Sequence, residues 1–251
     1  GEFLFTSDEE IGLIGANHLE LPLNATYMLN LDSEEEGEIC IGCAGGVDIF
    51  ASNTNKKIIP NTDNLDLYEI SISKLQGGHS GVDIDKNIPN GIKLIAQTIK
   101  ECEGKLLDIN GGERINSIPV NVKAIIASSK TPIASHENMI IEKIEAKSEH
   151  LNIFDDNIID FIYDFENGVR DMNSELNVVQ SSINIAIIKT DLDSVKIELS
   201  ARSMDNDDLK NLKDETIKIL ENHNFTVSTN GKYPAWKPDI NEFTSKVLEV
   251  Y

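Results

Sequence analysis

Thr6-Ser7-Asp8-Glu9-Glu10-Ile11-Gly12, answered by Asp32 in Leu29-Asn30-Leu31-Asp32-Ser33-Glu34-Glu35, is the stretch whose reading decides the fold. Phe3-Leu4-Phe5 reads as an apolar strand that runs into three acids, and Tyr27–Leu31 as a second strand that ends at Asp32. Carboxylates at the carboxyl ends of apolar strands are where an open α/β sheet places its chemistry. Paired glutamates with a separate aspartate can supply a general base and oxygen donors for a divalent metal. A second reading stays open, because Asp8, Glu9 and Glu10 also suit the positive end of a helix over Ile11–Leu21.

The composition narrows the partners. With 43 acidic against 22 basic residues the formal charge is −21. Such a chain is repelled by phosphate backbones and by anionic lipid, so neither nucleic acid nor a membrane surface is an expected partner. No apolar run approaches the ~18 residues of a membrane span, and the opening residues show no signal-peptide pattern. The expectation is a soluble, cytoplasmic protein. At 40% hydrophobic, the 251 residues can bury a core of one large domain or two small ones. Three cysteines argue against a disulfide framework. Cys40-Ile41-Gly42-Cys43 has the spacing of a zinc half-site, but no second pair of cysteines or histidines follows closely, and the segment reads as a strand with two half-buried thiols.

Hydrophobic periodicity places the remaining elements. Residues 47–60 read as a rim strand and loop. Residues 65–72 form an alternating strand, and 77–81 a glycine-rich loop. Asn90–Cys102 is a helix, followed by strands at Leu106–Asn110 and Val120–Ser128. Helices are expected at 137–150, 156–166 and 207–222, a hairpin around 190–193, and a short strand at 225–227. Strands alternating with helices in this way predict a sheet with helices on one face. Phe243–Tyr251 is an apolar-periodic run. With Gly1 leading directly into a strand, both ends read as cut from a longer protein.

Several segments then form an ordered set: Thr6–Gly12, 31–38, Gly42-Cys43-Ala44-Gly45-Gly46, Gly77-Gly78-His79-Ser80-Gly81, Asn110-Gly111-Gly112 leading to Asn116-Ser117-Ile118-Pro119, Arg202-Ser203, and Tyr233-Pro234-Ala235-Trp236-Lys237-Pro238. In order and spacing they resemble the aminoacyl-histidine dipeptidases, relatives of carnosinase among the two-zinc exopeptidases. The resemblance covers nearly the whole chain. It implies Glu9 as general base, Glu10 and Asp32 as ligands of one zinc each, and His79 as a group reaching the substrate carbonyl or oxyanion, possibly across a dimer. It further implies Asn116 and Arg202 as substrate-binding residues, with Arg202 matched to a peptide carboxylate. Two zinc ions per full-length subunit are implied, manganese or cobalt suiting the same donors. Residue by residue, plainer roles stay in view: a turn for His79 and Asn116, an acid partner such as Asp205 for Arg202, and packing for Trp236.

The departures from the family pattern matter as much. None of the five histidines begins a His-x-Asp, and no distant C-terminal histidine ligand follows. Glu10 and Asp32 alone cannot close a two-metal site, since zinc takes about four ligands per ion. The expectation is an α/β chain in which residues 1–46 and 231–251 are remnants of a zinc-peptidase catalytic domain and 47–230 is an inserted α+β lid. This chain alone would bind zinc weakly and hydrolyse nothing. The full-length protein would be a homodimeric dipeptidase acting on short peptides such as Xaa-His. Alternatives are a non-catalytic binding or dimerisation module, and an aminoacylase or tripeptidase of the same superfamily.

Overall fold

A computed structural model describes residues 1–8, 14–32, 37–59, 64–145 and 151–250. The chain divides into two compact units, one of Gly1–Cys43 with Lys237–Tyr251, the other of Ala44–Trp236.

In the first unit the regular structure among the described residues is a helical turn, α1 (Ile14–Asn17), and a helix, α5 (Glu242–Val250). Phe3–Phe5 and Tyr27–Leu31 are not strands: both are exposed, irregular backbone. They carry the apolar pattern of strands, but the described residues give them no partner to bond. What orders them is local. The Glu2 carboxylate accepts hydrogen bonds from Asn24 N and Nδ2 and from Ala25 N, each at 3.0 Å. Tyr27 stacks on Phe243 with ring centroids 4.3 Å apart. Cys40 and Cys43 are exposed, not half-buried, and Ile41-Gly42 between them is irregular.

The second unit holds the strands β1 (Gly45–Asn53), β2 (Lys56–Ile59), β3 (Asp66–Ile72), β4 (Lys105–Gly111), β5 (Val122–Ser128), β6 (Met139–Ile144), β7 (Leu151–Phe154), β8 (Gly168–Asn173), β9 (Val178–Thr190), β10 (Val195–Ser203) and β11 (Thr226–Tyr233). Its helices are α2 (Gly91–Glu101), α3 (Asn157–Asp164) and α4 (Asn206–Asn222). Nine strands form one antiparallel sheet in the order β11-β1-β10-β9-β4-β5-β3-β6, with β8 added on β9; β2 and β7 pair separately.

The alternation of β10 explains its place. Val195, Ile197, Leu199 and Ala201 are buried on one face, while Lys196, Glu198 and Arg202 lie on the other. The apolar stripes of α2 (Ile92, Ile95, Ile99) and α4 (Leu209, Leu212, Leu220) close over that buried face in one continuous core. Each fully buried aliphatic side chain contributes about 1.5–3 kcal/mol. Both helices start on a side-chain cap. Asn90 accepts from Ile92 N and Lys93 N, and Asp205 from Asp207 N and Asp208 N.

Two further expectations change. Gly45–Asn53 is not a rim strand: β1 sits between β11 and β10 and is largely buried. Within 137–150, Met139–Ile144 is a strand bonded to β3, not a helix. There the apolar run Met139-Ile140-Ile141 meets a partner strand some seventy residues back, and tertiary pairing overrides local helix preference.

Candidate functional site

The second unit gathers His79, Asn116 and Arg202, which lie far apart in sequence. His79 forms a bridge with Ser117 between two loops. Ser80 N donates to Asn116 O at 2.8 Å, and Ile118 N to Gly78 O at 2.9 Å. Asn116 itself is exposed on its loop. That loop is anchored from the core side. Buried Asn184 donates to Ser117 O at 2.8 Å and accepts from Asn90, the cap of α2, at 3.1 Å. A buried amide pair thus ties the start of α2, strand β9 and the Asn116 loop into one frame.

The glycine-rich loop is braced at its own base. His79 N donates to Asp83 Oδ2 at 2.7 Å, and Asp83 pairs with Lys86 at 2.6 Å. Gly81 N donates to His79 Nδ1 at 3.2 Å. With Nδ1 accepting, the proton of a neutral ring sits on Nε2. Burial, with the positive charge of Arg202 adding to it, lowers the His79 pKa below its ordinary 6.5, and Asp83 opposes the shift. Near neutral pH the ring is therefore an uncharged Nε2–H donor.

Arg202 is the other fixed point. The Gly81 backbone lies against its guanidinium: a Cβ there would stand 2.9 Å from Nη1, 3.0 Å from Cζ and 3.1 Å from Nε. Nη1 donates to Tyr233 Oη at 3.1 Å. Asp205 is not the acid partner foreseen, because its carboxylate caps α4. Two buried polar atoms here, Arg202 Nε and Ser80 Oγ, have no hydrogen-bond partner among the described residues. Such orphans are uncommon and call for a reason. Asp48 sits opposite Ser200 in the register, diagonal to Arg202. Burial raises its carboxyl pKa, against the Ser200 hydrogen bond and the Arg202 charge, both of which lower it.

Glu9 and Glu10 lie outside the described residues. Asp32 is exposed in the first unit, its N–H donating to Asn30 Oδ1 at 3.1 Å. Among the described residues no group of three or more His, Cys, Asp or Glu could hold a metal ion. Of the ligands foreseen they supply Asp32 alone, and they do not close a metal site. Sequence reasoning gave no role to Asp83, Gly46 or Tyr233. The signals were present, as a carboxylate four residues after His79 and as glycine and tyrosine in two of the quoted segments. Trp236, expected to pack, is 54% exposed.

No family model matches the chain. Over 274 aligned residues it is 29% identical to the cytosol non-specific dipeptidase of Escherichia coli (strain K12), covering 96% of this chain and 55% of that protein. Its structure superposes on the aminoacylhistidine dipeptidase of Vibrio alginolyticus with a TM-score of 0.80 and 26% identity, again covering 96% of this chain and 55% of the other. The chain thus spans about half the length of these relatives. In sequence the chain is similar to a dipeptidase, and in fold to an aminoacylhistidine dipeptidase.

Proposed function

We propose that this chain carries the substrate-gripping part of a dipeptidase acting on short peptides with a free carboxylate, such as Xaa-His. The observation that carries the reading is the convergence of His79, Asn116 and Arg202 on one pair of loops and one strand end. Arg202 takes the peptide carboxylate, for which a guanidinium fork is suited. Asn116 binds the peptide beside it. Nε2 of His79 donates to the scissile carbonyl oxygen as charge develops there. Glu9 is the general base that takes the proton from the attacking water. Glu10 and Asp32 are the carboxylates this chain offers to zinc, or to manganese or cobalt. When bound, such ions acidify water and polarise a carbonyl.

On this reading the first 46 residues and residues 231–251 belong with a catalytic domain, and 47–230 is the lid inserted in it. The printed names of both relatives are those of dipeptidases, and the curated one is named for the cytosol, which supports a cytoplasmic protein. Among the described residues no helix is long and apolar enough to cross a membrane. A homodimer belongs to the same proposal, motivated by the exposed Phe3, Phe5 and Leu31. A monomeric mass in light scattering across a concentration series would count against it.

The test is metal content and dipeptide hydrolysis, measured side by side on this chain and on a form extended at both ends to the length of its relatives. The expected result is about two metals per extended chain with hydrolysis, and neither in the 251-residue chain. Hydrolysis by the shorter chain would mean that the ligand set has been misassigned. Absence of metal from both would make Glu10 and Asp32 structural, and the chain a binding module built on the core of its second unit.

A further inference from the structure

Gly46 is opposite Arg202 on β10 and opposite Tyr233 on β11, so the three residues stand in a row across neighbouring strands. Strands flanking a common neighbour are about 10 Å apart, and a side chain on the middle strand ordinarily fills the space between theirs. Here the middle residue has none. The phenol of Tyr233 lies in the gap: a Cβ on Gly46 would meet its Cζ and Oη at 2.6 Å. Across that gap Arg202 Nη1 reaches Tyr233 Oη at 3.1 Å. On the other side the Gly81 backbone presses on the guanidinium. The sealed Nε has no partner among the described residues, so the hydrogen bond to Tyr233 is what fixes the rotation of the fork. Were it lost, Arg202 could turn toward Asp48, the carboxylate diagonal to it on β1.

We propose that Tyr233 is the positioning residue for Arg202: through the gap left by Gly46 it takes one N–H of the guanidinium and sets the remaining donors for a substrate carboxylate. The inference rests on the reading of Arg202 as the carboxylate grip. It adds that the grip is pre-oriented, by a residue whose own contact with substrate is not required. Pre-orientation lowers the ordering cost of binding, so its loss raises KM more than it lowers kcat.

The experiment uses the extended, hydrolysing form and compares each dipeptide as free acid and as C-terminal amide. Tyr233→Phe keeps the ring on Gly46 and removes only the oxygen. The expected result is a rise of roughly tenfold in KM for the acid, about what one charge-assisted hydrogen bond supports, with kcat within about twofold and the amide unaffected. Gly46→Ala, which displaces the phenol without deleting it, should shift the same ratio in the same direction. Equal effects on acid and amide, or no effect on either, would overturn the role of Tyr233. Arg202→Lys separates the two claims. If it leaves the preference for the acid intact, the carboxylate grip itself falls and the inference with it. If it abolishes that preference while Tyr233→Phe does not touch it, Arg202 stands and Tyr233 alone is struck out.

Discussion

Gly112→Ala is expected to destabilise the second unit by about 3 kcal/mol or more, read as a fall in the urea midpoint at unchanged slope. Two costs add at this position. Its φ is +86°, where an L-residue carries a penalty of about 1–2 kcal/mol. The added methyl would also stand 1.9 Å from Ala186 O and 2.9 Å from Ile187 Cα, both backbone atoms of β9. No rotamer relieves that overlap, so the strand or the loop must move. The location makes movement costly. β4 ends at Gly111 and meets β9 through the pairs Asn110–Lys189 and Gly111–Ile188, the joint between the two halves of the sheet. Gly168→Ala is the control. Its φ of +111° is also strained, but nothing lies within 4 Å of the added atom. It should cost only the conformational part, about 1–2 kcal/mol. If both variants cost the same, the close approach of Gly112 to β9 is not what the protein depends on.

The same glycine marks how much of the molecule its sequence discloses. Helices α2 and α4 were legible because an apolar stripe at helical spacing is a local signal. The β9–β10 hairpin was legible because alternation and a turn-forming Thr190–Asp193 stretch are local too. Strand β6 was not, because Met139–Ile144 is defined by its bonding to β3 rather than by its own pattern. Phe3–Phe5 and Tyr27–Leu31 show the opposite error, a local strand pattern without a partner among the described residues. At the site, His79, Asn116 and Arg202 could be picked out one by one from the segments that carry the family resemblance. Their contacts could not, since these depend on register: Gly46 is an unremarked second glycine until β1 is seen to lie between Arg202 and Tyr233. A glycine required for what passes over it looks, in sequence, like one required for a turn.

His79→Ala is expected to lower kcat for dipeptides by about 10²–10³ in the extended form, with a much smaller change in KM. The loss is that of one preorganised donor at developing charge, and the way the ring is held preorganises it. Gly81 N–H occupies Nδ1, so the neutral tautomer presents Nε2–H. Burial and the nearby Arg202 charge keep the ring neutral below its ordinary titration range. The loop does not need the ring to keep its shape. The backbone bonds of Ser80 to Asn116 and of Ile118 to Gly78, with Asp83 on His79 N, all survive the substitution. Stability at pH 7.5 should therefore move little. Its pH dependence should move visibly. In the parent, the unfolded chain takes up the proton near 6.5 while the folded chain resists it, so stability is lost as pH falls from 6.5 to the lower folded value, and no further below that. The variant should lack this component, so from near-equal urea midpoints at pH 7.5 the variant's should rise above the parent's on acidification. Retention of kcat within about tenfold would remove His79 from the reaction. An unchanged pH profile of stability beside a lost kcat would leave the donor role standing and contradict the half-buried, neutral ring assigned to it.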